Sequence, residues 1–251
     1  MRPRIAVLLD ENTSSGATRY EAHKGYFLGL REAGAAPFGL PYFAEMVPGV
    51  VADFDGLLSV GGRFAYPPAW YLDGEASFAP DSPRLEVEQA LMSGFLAAGK
   101  PVLGICAGMQ MLACLHGSRL TADVRTLGDV LDHDNPDQRH EISILPGSQL
   151  ASLIGAPTLE VNSFHREAIA QLGSRVRAVA HAPDGVIEAV ELDGPGFAIG
   201  VQWHQELFAG ADHPGDAIFR GFVAACARRL PASGPSGPGS PAGPRGPGAP
   251  A

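Results

Sequence analysis

A cysteine flanked by glycines, at the point where a buried strand runs into a helix, constrains this 251-residue chain more than any other feature. Val102-Leu-Gly-Ile105 predicts a short strand buried on both faces. Ala107 to His116 predicts a helix closed by Gly117. Cys106 stands at the joint, with Gly104 and Gly108 two residues away on either side. That is the cysteine form of the nucleophile elbow, G-x-S-x-G. Such a turn is tight, so its neighbours must be small. It pushes the sulfur clear of the backbone and sets it at the start of a helix, where the partial positive charge stabilises an anionic sulfur. The same five residues would also suit a small buried side chain in an ordinary strand-to-helix joint, so the rest of the chain has to decide.

The surrounding pattern predicts an α/β fold with a doubly wound, mostly parallel sheet flanked by helices. Ile5 to Leu9 form an apolar run suited to a strand covered on both faces. Tyr20 to Ala33 predict a helix capped by Gly34, Phe38 to Phe43 a second strand, and Leu57 to Val60 a third. Arg63 to Pro80, rich in aromatics and prolines, has no helical period and reads as a structured loop. Ser82-Pro83 opens a helix whose buried face carries Val87, Leu91, Phe95 and Ala98. After Gly117 the pattern shifts to strands joined mostly by short turns: 140–145, 159–164, 176–182, 187–192 and 198–203. This predicts a smaller antiparallel part in the second half. A last helix is expected over 214–230. Residues 1–230 thus read as one domain, and the Gly/Pro/Ser/Ala-rich 231–251 as a disordered tail without a catalytic role.

Composition narrows the function classes. A formal net charge of −9 argues against a non-specific nucleic-acid binder. No run is long enough to span a bilayer, and the apolar start of the chain stops at Asp10, too early for a secretory signal. Three cysteines without framework spacing, Cys106, Cys114 and Cys226, suggest free thiols in a reducing, cytoplasmic setting. The eight histidines do not fall at zincin spacing, and Cys114 has no paired ligand, so neither a metal nor a cofactor is expected. The acidic run Asp132 to Asp137 lacks the glycine and closing glutamate of a calcium loop and reads as solvated surface.

Two further stretches can serve a cysteine nucleophile. Gly200-Val-Gln-Trp-His204-Gln-Glu206 sends a strand into a histidine, with a carboxylate two residues on. In extended chain His204 and Glu206 share a face, so Glu206 can orient the imidazole as a base. Alone, His-x-Glu is more often a surface pair at a strand end. Gly61-Gly62 follows the third strand, where a glycine pair lets backbone approach a ligand. The amides of Gly62 and Ala107 could together hold an oxyanion.

Taken together, Gly-Ile-Cys106-Ala-Gly-Met-Gln110 and Val-Gln-Trp-His204-Gln-Glu206 resemble the class I glutamine amidotransferase-like superfamily. Within it the chain is most similar to the gamma-glutamyl-gamma-aminobutyrate hydrolase (peptidase C26) family. Gly61-Gly62, Pro67 to Tyr71, Arg84 with Glu88, Val161-Asn-Ser163-Phe-His165 and Asp184-Gly-Val-Ile-Glu188 support the similarity, which covers roughly residues 4 to 230. The resemblance implies a flavodoxin-like class I amidotransferase fold and hydrolysis of a gamma-glutamyl amide through a thioester. Cys106 would be the nucleophile, His204 the base and Glu206 its orienter. It also implies substrate contacts from Gln110, Ser163 and His165, a small-molecule gamma-glutamyl substrate, and a setting in polyamine or other amine catabolism. Two other functions stay open: a glutaminase feeding ammonia to a synthase partner, and a catalytically silent binding member. A homodimer also stays open. Departures from the family pattern fall at Ala107 (usually arginine), Gln205 (usually proline), Phe64 and Leu85 (often aspartate), and Arg166-Glu167 (usually His-Gln). The triad residues are intact, so these changes bear on which substrate is read more than on the reaction.

Overall fold

The computed structural model describes residues 1–12 and 19–229; the tail expected to be disordered lies outside them. Nine strands form one sheet: β1 (Arg4–Leu8), β2 (Ala36–Leu40), β3 (Gly56–Ser59), β4 (Val102–Ile105), β5 (Arg139–Ile144), β6 (Thr158–Asn162), β7 (Val176–His181), β8 (Ile187–Leu192) and β9 (Ala198–Val201). Their spatial order is β2-β1-β3-β4-β9-β8-β7-β5-β6. The first five in that order pair in parallel. From β9 onward each pairing is antiparallel, so the antiparallel part continues the same sheet rather than forming a layer of its own.

Alternation along β1 shows how the sheet is covered. Ile5 and Val7 face one layer, with Tyr26 and Leu30 of α1 (Lys24–Glu32) and Phe219 and Phe222 of α6 (Ala217–Ala227). Ala6 and Leu8 face the other, with Val50 of α2 (Val47–Asp53), Leu91 and Phe95 of α3 (Arg84–Ala97) and Met109 and Leu112 of α4 (Ala107–Cys114). Successive side chains of a strand point to opposite faces, so a strand buried on both sides must be apolar throughout. Strands β1, β3, β4 and β9 meet that demand in register, apart from the exposed Arg4 that opens β1 and the buried Ser59 that closes β3 and bonds Glu88. Leu8 lies opposite Ser59, Ser59 opposite Gly104, and Ile105 opposite Val201. Their carboxyl ends therefore open on one edge, where parallel α/β sheets place their ligands.

Several elements differ from expectation. The helix expected from Tyr20 starts at Lys24, because Arg19–Glu21 pairs antiparallel with Asp10–Asn12 as a small ribbon. A second ribbon, Arg119–Thr121 with Ala168–Gln171, and the short helix α5 (Gln149–Ile154) were not expected. The Ser148 hydroxyl caps α5 by accepting the Ala151 N–H at 2.9 Å. The acidic stretch 132–137 is solvated at Asp132, Asp134 and Asp137, but His133 within it is 1% exposed. No described helix is long and apolar enough to cross a membrane.

Candidate active site

Cys106 ends β4 and precedes α4 with φ 53° and ψ −106°. A non-glycine residue there carries strain of about 1–3 kcal/mol, which the surroundings must impose. The flanking glycines allow it. A Cβ on Gly104 would collide with the backbone of Gly108, and one on Gly108 with the carbonyl of Ser59. The turn thus packs backbone on backbone, and the sulfur is left facing a pocket of about 320 Å³.

His204 faces the same pocket. Its Nδ1 lies 2.7 Å from Glu206 Oε1. The pair does not sit in extended chain as expected, because β9 stops at Val201 and Glu206 lies in a turn of 3₁₀ helix, Gln205–Phe208. The contact forms through that tighter turn instead. Burial pulls the imidazole down, but the charge of Cys106, a hydrogen bond to it and the Glu206 carboxylate outweigh burial and raise His204 well above its ordinary value. The sulfur and the imidazole, 98 positions apart in the chain (204 − 106), are therefore electrostatic partners.

The backbone of His204 is clamped from both sides by Asn162. Its Nδ2 donates to the His204 carbonyl at 2.9 Å, and its Oδ1 accepts the His204 N–H at 2.8 Å. Sequence reasoning missed this role; the signal was the polar Asn162 directly after the buried Val161 at the end of β6. Tyr26, also missed, accepts the Gly61 N–H at 3.1 Å, and burial followed by the nearby Glu206 charge raises its hydroxyl well above the usual phenol value.

The Gly61-Gly62 loop is fixed by a buried cation. Arg84, fully buried, donates from Nε to Glu88 at 2.6 Å and from Nη1 to Asp10 at 3.0 Å. It also donates to the carbonyls of Val60 and Gly61, at 2.5 and 2.9 Å. Glu88 is bonded in turn by Ser59. The chain has no cis peptide among its described residues. In a trans peptide the C=O and N–H point in opposite directions, so anchoring the Gly61 carbonyl on Arg84 turns the Gly62 N–H the other way. Gly62 lines the pocket, and Ala107 supplies one of the unpaired amides of the first turn of α4. Among the described residues neither amide donates to a protein acceptor.

The remaining sequence candidates divide. Gln110 lines the pocket; its Nε2 donates to the Glu167 carbonyl at 2.9 Å and to Gln202 Oε1 at 3.1 Å, which leaves Oε1 as an acceptor on the pocket side. His165 lines the pocket with its ring, but Nδ1 faces the Glu167 carbonyl at 3.1 Å and Nε2 faces Glu188 at 3.5 Å. Ser163 does not reach the pocket: its side chain is fully buried and bonded to His133, which corrects the expected substrate contact from its hydroxyl. The pocket is completed by aromatic and charged groups, among them Phe64, Phe78, Phe164, Arg63, Arg166 and Glu167. Phe64, Arg166 and Glu167 are positions where the chain departs from the family pattern, so those departures fall in the pocket wall. Ala107 and Gln205 do not extend into it; the Ala107 carbonyl accepts from Tyr66, and Gln205 bridges Trp203 and Asp216.

The gamma-glutamyl-gamma-aminobutyrate hydrolase PuuD of Escherichia coli K12 is 28% identical over 243 residues, covering 91% of this chain and 95% of that protein. A Mycobacterium tuberculosis protein assigned as a glutamine amidotransferase is 37% identical over 193 residues, 72% of this chain and 61% of its own. The crystal structure of a Thermoplasma acidophilum protein assigned to GMP synthase superposes with a TM-score of 0.61 at 18% identity, covering 91% and 96% of the two chains. That likeness shows a class I amidotransferase-type fold. The family model for Peptidase C26 matches residues 5–206, which takes in the elbow, the glycine pair and the His-x-Glu segment, and the chain belongs to that family of amidotransferase-like hydrolases.

Proposed function

We propose that this protein hydrolyses a gamma-glutamyl amide through a gamma-glutamyl thioester on Cys106. The observation that carries the proposal is the strained cysteine facing an imidazole that Glu206 holds at 2.7 Å, in a pocket of small-molecule size. The Cys106 thiolate attacks the side-chain carbonyl carbon. The oxygen takes up the electron pair and becomes an oxyanion, which the Gly62 and Ala107 amides receive. His204, protonated, gives its proton to the leaving amine as the carbon–nitrogen bond breaks. Water then attacks the thioester, His204 takes the water proton, and glutamate leaves with the thiolate restored. Removing one oxyanion donor typically costs about 100- to 1000-fold in rate.

Pocket chemistry supports an anionic substrate. Arg63 and Arg166 line the wall, each stacked on an aromatic ring, Phe164 and Phe78 respectively, and each bonded through one guanidinium nitrogen to a carboxylate, Asp134 at 2.5 Å and Asp123 at 3.1 Å, with its other nitrogens left to a substrate. Such cations favour a carboxylate-bearing substrate such as gamma-glutamyl-gamma-aminobutyrate over a gamma-glutamylated polyamine, which is cationic at its far end. Gln110 Oε1 suits the glutamyl ammonium. The experiment incubates pure protein with gamma-glutamyl-gamma-aminobutyrate, gamma-glutamylputrescine and glutamine, and measures released glutamate. Turnover is expected on the anionic amide without any synthase, and none in Cys106→Ala. Equal glutamate release by Cys106→Ala would refute the mechanism; preference for the polyamine adduct would refute the substrate assignment.

A further inference from the structure

Behind the pocket wall four side chains from distant parts of the sequence converge: His133, His140, His165 and Glu188. All are buried, the most exposed being His140 at 7%. Glu188 Oε1 lies 3.5 Å from His133 Nδ1, 3.2 Å from His140 Nε2 and 3.5 Å from His165 Nε2. These are the separations expected of donors around one ion. With metal–ligand distances of about 2.0–2.1 Å, the edge of a tetrahedron is about 3.4 Å. The His133, His140 and Glu188 donor atoms all lie within 4.8 Å of one another.

The orientation of the groups favours an ion over direct hydrogen bonds. Both ring nitrogens of His140, Nε2 of His165 and both oxygens of Glu188 have no hydrogen-bond partner, despite these short separations. The groups are close but their donor and acceptor directions do not meet, as is expected when lone pairs aim at a shared point between them. Leaving that many buried polar atoms unpaired is costly. The outer nitrogen of His133 is also held in the way a metal-bound histidine requires: Nε2 sits 2.9 Å from Asp184 Oδ2, which takes the N–H. Its Nδ1 lies 3.5 Å from Glu188 Oε1 and 3.0 Å from the Ser163 hydroxyl. Among the described residues no lysine or arginine pairs with Glu188, so the cluster supplies no fixed cation to balance its carboxylates.

We propose that His133, His140 and Glu188 bind a zinc-type divalent transition-metal ion. Two imidazoles and one carboxylate suit Zn²⁺ and not the all-oxygen shells of Mg²⁺ or Ca²⁺. The site is buried, so its role is structural: it ties the segment around His133 to β5 and β8. This assignment stands independently of the hydrolase proposal.

The test uses the full-length chain carrying Cys106→Ala, so that the pocket sulfur cannot hold the metal. The protein is stripped with a chelator, dialysed against micromolar Zn²⁺, and its metal counted by mass spectrometry. About one zinc per chain is expected, with a raised unfolding midpoint and a zinc-edge absorption spectrum of a nitrogen/oxygen shell without sulfur. Adding His140→Ala or Glu188→Gln should remove the bound zinc, and Asp184→Asn should weaken binding by about 10- to 100-fold. Absence of zinc after dialysis would overturn the assignment. So would a sulfur-containing shell, or undiminished stoichiometry in both ligand variants. If those variants fail to fold, the stoichiometry and absorption spectrum of the Cys106→Ala parent still decide.

Discussion

Replacing Gly61 by alanine tests how closely the glycine loop abuts the base. A Cβ built on Gly61 would stand 2.8 Å from His204 Cε1 and 3.3 Å from the Tyr26 hydroxyl. Ordinary carbon–carbon contact begins near 3.5 Å, so one partner must move by about 0.7 Å. The imidazole has little room to retreat, since Glu206 holds its Nδ1 and Asn162 holds its main chain on both sides. The loop has little more, because Arg84 holds the carbonyls of Val60 and Gly61. A misplacement of about 1 Å in a reacting group can cost about 100-fold. A shift of 0.7 Å should therefore cost on the order of 10- to 100-fold in kcat/KM, or about 1.4–2.7 kcal/mol of barrier. Stability should change little. Gly61 is not among the glycines with positive φ, so alanine fits its backbone, and the reduced freedom of the unfolded chain returns about 0.4–1 kcal/mol against the contact. The assay is glutamate release at several substrate concentrations, with thermal unfolding measured in parallel. A folded Gly61→Ala protein turning over within twofold of wild type would refute the placement of His204 against this loop.

Three further outcomes follow from the same geometry. Cys114 and Cys226 are buried at 4% and 0% exposure, and burial pushes the Cys226 thiol up to about 12 and that of Cys114 higher still. Iodoacetamide should therefore label the native protein once, on Cys106, and label all three thiols only after unfolding; peptide mass spectrometry showing Cys114 or Cys226 labelled first would contradict this. His204 is raised in the folded protein, so its stabilising charge is fully present below the ordinary imidazole range and is lost as pH rises through the raised folded value. The stability gap between wild type and His204→Gln, measured by urea unfolding, should be largest at and below the ordinary imidazole range and should narrow as pH rises above it; a gap that widens with pH would reverse the sign. Asn162→Leu removes both clamps on the His204 backbone and should lower kcat about 10- to 100-fold with less effect on KM; a loss confined to KM would make Asn162 a binding residue instead.

Much of the site was legible because its pieces are local. Gly104, Cys106 and Gly108 mark a tight strand-to-helix turn, and Gly61-Gly62 and His204-x-Glu206 each sit just past a short apolar strand. Once the strands are parallel, their carboxyl ends share an edge, so these pieces have to meet. The extended geometry expected for His204 and Glu206 was the local error, since a 3₁₀ turn brings them together as well. Contacts made across the sheet were harder to read. Arg19–Glu21 has the composition of a first helical turn and becomes a strand only because Asp10–Asn12 offers it an edge. His133, His140, His165 and Glu188 span 56 positions (188 − 133 + 1) and follow no ligand spacing. Their convergence depends on β5, β6 and β8 packing in one sheet, and periodicity carries no record of that.

The proposal rests on a covalent bond between Cys106 and the gamma-glutamyl group. Its most direct measurement quenches wild-type protein in acid during turnover of gamma-glutamyl-gamma-aminobutyrate and weighs the Cys106 peptide. A gain of one gamma-glutamyl group on that peptide, absent in Cys106→Ala and lost on treatment with hydroxylamine, is the expected result. Steady glutamate release with the Cys106 peptide unmodified at every quench time, and with turnover surviving in Cys106→Ala, would contradict it.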